Sequence, residues 1–220
     1  MRFVLDFAAV LAQWPLLLSG LVWTCWLTLL TLTLGLVLGA ACAWARSSGP
    51  QALAAAVGIY VELVRNTPFI VQLFFVFFGL PALGVKLSPA TASTIALVLN
   101  LGAYATEIIR AGIEATPRGQ VEAAQSLALG PVQIFLRVVL PPALARVWPA
   151  LTGQVIIVML GSAVCSAIST EELSYAANLI QSRNFRAFES YALVAVLYLL
   201  LAMGLRRLLD WAGPRFIFAR

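Results

Sequence analysis

Ionisable residues set among apolar neighbours are where chemistry would be expected in this sequence. Glu62 and Arg65 stand three residues apart, and so do Glu107 and Arg110. That spacing puts each pair on one face of a helix. A charge in hydrocarbon is costly unless it is paired or faces a water-filled path. Two readings follow: the pairs clamp helix ends near the inner boundary, or they shape and gate a polar pathway. Gln72, Asn100 and Tyr104 add polar groups to apolar stretches, as do Ser162 and Ser166. These residues are candidates for lining a solute route; hydrogen bonding between helices is the alternative for each. No catalytic centre is in view. Histidine is absent, which removes the commonest general base and zinc ligand. Cys25, Cys42 and Cys165 lack metal or redox spacing and read as packing residues. No metal site and no nucleophile paired with a base is expected.

The elements that must position these groups are membrane helices. Of the 220 residues, 62% are hydrophobic and 10% charged, and the mean hydropathy is +0.96. That leaves too little polar surface to coat a soluble globule. The apolar stretches are continuous and near the ~20 residues that a helix needs to cross hydrocarbon, unlike the short alternating segments of a barrel. The expected architecture is all-α and polytopic, a single membrane domain over residues 1 to 220. It has five spans, at about residues 18–45, 54–80, 91–111, 147–168 and 189–209. Leu16 to Ala45 is too long for a secretory signal core, and Trp14 reads as an interfacial anchor.

Basic residues in short loops are retained on the cytoplasmic side. Arg46, Arg110, Arg118, Arg137, Arg146, Arg206, Arg207, Arg215 and Arg220 fall on one side of a five-span layout; Arg2, Lys86, Arg183 and Arg186 fall on the other. The N-terminus is therefore expected outside and the C-terminus in the cytoplasm. The net charge of +5 suits anionic lipid headgroups rather than nucleic acid.

Two segments break the apolar pattern. Pro68 must kink or break the second span, and a break at membrane depth faces protein or a cavity. The third connection, 112–146, is the longest polar stretch; Pro117 can start a short helix there and Gly130 can end it. A soluble partner is expected to dock on it.

Glu122-Ala123-Ala124 followed by Leu140-Pro141 resembles the E-A-A…L-P loop of the permease subunits of bacterial ATP-binding-cassette importers. The polar amino-acid branch is suggested by Tyr60 to Pro68 with Val71-Gln72-Leu73, and by Thr116 to Gln120. The resemblance implies the transmembrane fold of a type I importer. It also implies that a helix carrying Gly119, Glu122, Ala123, Ala124, Ala128 and Gly130, with Leu140 and Pro141 following, couples to a separate ATPase. Ala128 stands where that loop usually has glycine and Val138 where it has isoleucine, so Gly130 is expected to supply the bend. Leu160-Gly161-Ser162-Ala163 replaces a Lys-Asp-Thr-Ser-like stretch. Implied partners are ABC ATPase subunits, a second permease subunit, identical or paralogous, an extracytoplasmic solute-binding protein and an amino-acid substrate. No cofactor is expected in this chain. ATP and Mg would be held by the partner ATPase, since a phosphate-cradling loop needs a lysine and the sole lysine, Lys86, lies in an outside loop. The competing class is a subunit of an ion-gradient-driven secondary transporter or channel.

Overall fold

The computed structural model describes residues 5 to 217; Arg2 and Arg220 lie outside the described residues. Every regular element among the described residues is helical. In chain order the main elements are α1 (Trp14–Ser48), α2 (Gln51–Arg65), α3 (Phe69–Ala82), α4 (Pro89–Glu114), α5 (Arg118–Ser126), α6 (Pro131–Ile168), α7 (Leu173–Asn184) and α8 (Ala187–Arg215). α1, α4, α6 and α8 are each long and apolar enough to span, and α2 with α3, bent by 110° between them, is apolar enough to make a fifth when the pair is taken as one broken span.

The break expected at Pro68 divides the 54–80 segment into two helices, since Pro68 lacks an amide and sits at ψ 138°, outside the helical region. One expected boundary is corrected. The span placed at 147–168 begins instead at Pro131. Pro141, Pro142 and the neighbouring arginines had the look of a loop, but Leu140 and Pro141 open the main stretch of α6. The turn just before them, Phe135–Val139, widens to π geometry. A widened turn absorbs missing amides without ending the helix.

The tightest packing joins α1 to α4. In lipid no hydrophobic force drives two helices together, so association rests on close van der Waals contact between small residues. α1 buries Thr24, Leu27, Thr31, Gly35, Gly39 and Ala43 along one stripe. A Cβ on Gly39 would lie 2.5 Å from the Ala105 Cβ, and one on Gly35 2.9 Å from Leu101. Gly102 reciprocates from α4, where a Cβ would come within 2.7 Å of Leu38. At one end of the bundle α6 closes on α4, with Gly112 pressed against the Ala143 carbonyl. At the other end α7 lies against α1 and α8, burying Leu173, Ala176, Ala177 and Ile180. There the Thr24 hydroxyl accepts from the Leu173 amide at 3.1 Å and donates to the Gly20 carbonyl.

Gly39→Val should therefore lower the thermal stability of the detergent-solubilised chain by about 1–3 kcal/mol, the usual cost of overpacking. Gly153→Val, at a site where a Cβ meets nothing within 4 Å, serves as the control. Equal melting temperatures for the two variants would show that the α1–α4 contact has room to spare.

Candidate functional site

The broken span carries a dense set of polar groups, with Glu62, Arg65, Asn66 and Thr67 exposed in the single chain and Gln72 half-buried. α2 stops at Arg65, and Pro68 leaves carbonyls without helical partners. Hydrocarbon offers no water to satisfy them. Gln72 does so: its Nε2 donates to Val64 O at 2.7 Å and to Thr67 O at 3.0 Å. The Gln72 Oε1 accepts from Asn100 Nδ2 at 3.0 Å, which ties the break to α4. Asn66 Nδ2 donates to both the backbone and the carboxylate of Glu62 at 2.8 Å, and the Thr67 hydroxyl donates to Leu63 O. Gln72 and Asn100, read from sequence as path-lining residues, thus meet directly, and both are engaged in holding the break.

Two helical turns along α4, charges converge on Glu107. Arg110 reaches it through Nη2 at 2.9 Å, Arg65 stands at 3.9 Å, and Arg46, from the last turn of α1, pairs with it closely. Arg110 also pairs with Glu114. The Arg65 guanidinium lies over the Tyr104 ring, 5.5 Å from its centroid. This corrects one expected pair. Among the described residues no ion pair joins Glu62 to Arg65: Arg65 turns to Glu107 and Tyr104 on α4, while Glu62 is taken by Asn66. Arg46 was counted only as a loop charge; the small-residue contact between α1 and α4 is what delivers it to Glu107, and no local spacing signals that. Tyr60, named in the sequence only as the start of the Tyr60 to Pro68 motif, donates to Leu99 O at 2.6 Å and pins α2 across the middle of α4.

Ser162 and Ser166 lie apart from this cluster. Their hydroxyls donate to Met159 O and Ala163 O, within their own helix. Ser162 is buried and faces a cavity of about 10 Å³ shared with Thr28 and Thr31. That volume holds a water at most.

The coupling loop folds as a platform. α5 follows Pro117 and buries Ala124 against Ile134 and Val139, while Gly119, Glu122 and Ala123 face outward. Beside it lies a groove of about 540 Å³, walled by Val121, Leu129 and Phe135 and rimmed by Ser48, Arg118 and Glu122. Leu140 and Pro141 are half-buried; Leu140 packs on the cluster around Ile109 and Leu151. The expectation for Gly130 is corrected. Gly130 has φ −70° and caps α6, with its amide donating to Gln133. The bend is taken by Ala128, at φ +56°, the position where the resembling loop has glycine.

At the opposite end, Glu172 is fully buried. It caps α7 by accepting from the Tyr175 amide at 2.9 Å, and it accepts from the Tyr198 hydroxyl on α8. Burial pushes its carboxyl up from the ordinary value, against the pull of the Tyr198 and backbone hydrogen bonds.

Comparison with known proteins places this geometry. Residues 35–218 match the model of the family described as binding-protein-dependent transport system inner membrane component. The chain belongs to this family and is a multi-pass permease subunit of an ABC importer. It is 34% identical over 202 residues to a glutamine transport system permease protein of Escherichia coli K12, covering 91% of this chain and 92% of that one. It is 38% identical over 171 residues to the L-cystine transport system permease protein of Bacillus subtilis 168, covering 78% and 73%. A crystal structure of an amino acid ABC transporter with histidines superposes with a TM-score of 0.85 at 34% identity, covering 97% of this chain and 100% of that one.

Two stability measurements test these assignments. A non-glycine residue in the left-handed region costs about 1–2 kcal/mol, so Ala128→Gly should raise chain stability by about 1 kcal/mol after the added backbone entropy of glycine. Gly130→Ala should be nearly neutral, and a loss there as large as the Ala128 gain would return the bend to Gly130. For Glu172, the folded carboxyl keeps its proton to higher pH than the unfolded one, so ionisation favours unfolding. Its contribution is fully present below the unfolded value of 4.5 and is lost as pH rises through the raised folded value. The melting temperature of the wild type relative to Glu172→Gln should therefore fall as the pH is raised above 4.5. A flat or rising difference would contradict the assignment.

Proposed function

We propose that this chain forms, with a second permease copy, identical or paralogous, the membrane path of an importer for polar amino acids. The names of its relatives support the substrate class. The solute path runs by the broken span, where Gln72, Asn100, Tyr104 and Arg65 meet at membrane depth. An extracytoplasmic binding protein delivers solute to the α7 end of the bundle. A separate ATPase, which holds ATP and Mg²⁺, docks at the α5 end. The arginine distribution supports a cytoplasmic α5 end and C-terminus, with the N-terminus outside.

The observation that carries this reading is the platform itself. α5 is anchored from within by Ala124 and presents Glu122 and Ala123 outward. This is the arrangement of a docking helix, since its inner face is satisfied by the chain and its outer face is not. The ion-gradient alternative draws no support from the cluster: Glu107 is bound to guanidinium groups, and a carboxylate so held is a poor proton carrier.

Glu122→Lys and Ala123→Asp should leave the chain folded and inserted. Both should cut the ATPase that co-purifies by more than about tenfold, the scale of breaking one buried interfacial charge pair, and abolish ATP-driven uptake of glutamine or cystine in vesicles. Ala124→Asp, aimed at the chain's own packing, should instead lower its melting temperature. Normal co-purification and uptake in both outward-facing variants would defeat the assignment.

A further inference from the structure

The face of the bundle away from the broken span carries a furrow of about 480 Å³ between α1 and α8, with Met159 of α6 in its floor. One wall runs from Leu21 past Cys25 and Leu29 to Leu32, the other from Leu197 past Gly204 to Leu208. Each wall spans twelve residues, ~16 Å from first to last at the rise of an α-helix. That is about half of a hydrocarbon core ~30 Å thick, the depth of one leaflet's acyl chains. A Cβ on Gly204 would meet nothing within 4 Å, so the glycine keeps the furrow open rather than serving a packing contact.

The stripe that forms the α8 wall continues toward the α5 end. Gly204, Leu208, Trp211 and Arg215 recur at spacings of four, three and four, one face of a helix. The Arg215 guanidinium stacks on the Trp211 ring, 5.0 Å from its centroid. Arg207, exposed and one turn from Gly204, flanks the same end. The nearby carboxylate, Asp210, is drawn to Arg206 on the far side of the helix. The furrow thus ends in an aromatic ring and two cations, the side chains that favour lipid headgroups.

We propose that this furrow is a binding site for an anionic phospholipid, with one acyl chain lying between α1 and α8 and the phosphate held by Arg207 and Arg215. An acyl chain gains little by leaving bulk lipid for an apolar furrow, so the headgroup sets selectivity. A second copy is the poorer occupant. Two copies paired on this face about an axis along the membrane normal would bring their Arg207 and Arg215 patches together, like charge against like.

Cys25 is the natural probe, because it lines the furrow and is exposed while Cys165 is buried. The full chain is reconstituted in phosphatidylcholine vesicles with increasing phosphatidylglycerol, and alkylation of Cys25 by a bilayer-soluble maleimide is followed by peptide mass spectrometry. Phosphatidylglycerol should protect Cys25. Arg207→Gln with Arg215→Gln should require about thirty-fold more of it for equal protection, the effect of removing two membrane-surface cations. Arg207→Lys with Arg215→Lys should stay near the wild type, which separates charge from misfolding. Gly204→Leu should protect Cys25 without phosphatidylglycerol by filling the furrow. Unchanged alkylation at every lipid composition would overturn the site, and equal protection in the glutamine variant would overturn the headgroup assignment. Protection in pure phosphatidylcholine that is lost when the chain is diluted among vesicles would assign the furrow to a second copy instead.

Discussion

Hydrocarbon cannot solvate a carbonyl, and Pro68 frees carbonyls inside a span. That constraint organises the middle of the bundle. Satisfying Val64 O and Thr67 O requires an amide side chain that can donate twice and still accept, which Gln72 supplies, and the acceptance fixes Asn100. With Asn100 held, α4 is registered against the break, and Tyr104 and Glu107 fall one and two turns further along, under Arg65. The break is therefore a defined joint between α2 and α3, with its polar groups presented toward α4. Such irregular backbone persists at membrane depth where it is enclosed by protein or faces a cavity.

The electrostatics follow from the packing. Arg46 ends α1, Arg65 ends α2, and both reach Glu107 because glycines on α1 and α4 let the helices close. Two helix C-termini, each carrying partial negative charge, are thereby matched by cations, and one carboxylate links three elements. The cluster acts as a buckle at the α5 end. The Glu172 cap, with Thr24 and Tyr198, does the equivalent at the α7 end by joining α7 to α1 and α8.

Much of this was legible in the sequence because lipid imposes simple rules. Span-length apolar runs, the break at Pro68 and the helix after Pro117 each follow from a local cause. What local pattern did not disclose depends on which face of a helix meets which neighbour. Ala123 and Ala124 are adjacent and chemically identical, yet one faces solvent and the other the core, since only α6 decides which side of α5 is covered. The bend was read to Gly130 on glycine's conformational freedom, whereas the chain accepts strain at Ala128 so that Gly130 can cap α6 in an ordinary conformation. Arg46 was invisible as a partner of Glu107 because 61 residues separate them.

α4 is the element that both functional regions share. Asn100, Tyr104 and Glu107 stand on it beside the break. Ile109 and Ile113, two and six residues further on, pack with Leu140 and with the Ala124, Ile134 and Val139 cluster beneath α5. A push on α5 therefore has two outlets. It can be absorbed in the π-widened turn Phe135–Val139, where helical hydrogen bonding is already relaxed, or it can be carried along α4 to the joint at Pro68. The rigidity of a continuous 26-residue helix and its dense glycine-lined contact with α1 favour the second outlet. A motion of α4 relative to α2 would reach first the longest of the Glu107 contacts, the one to Arg65. That makes the Arg65–Glu107 link the member of the buckle best placed to open while Arg46 and Arg110 hold.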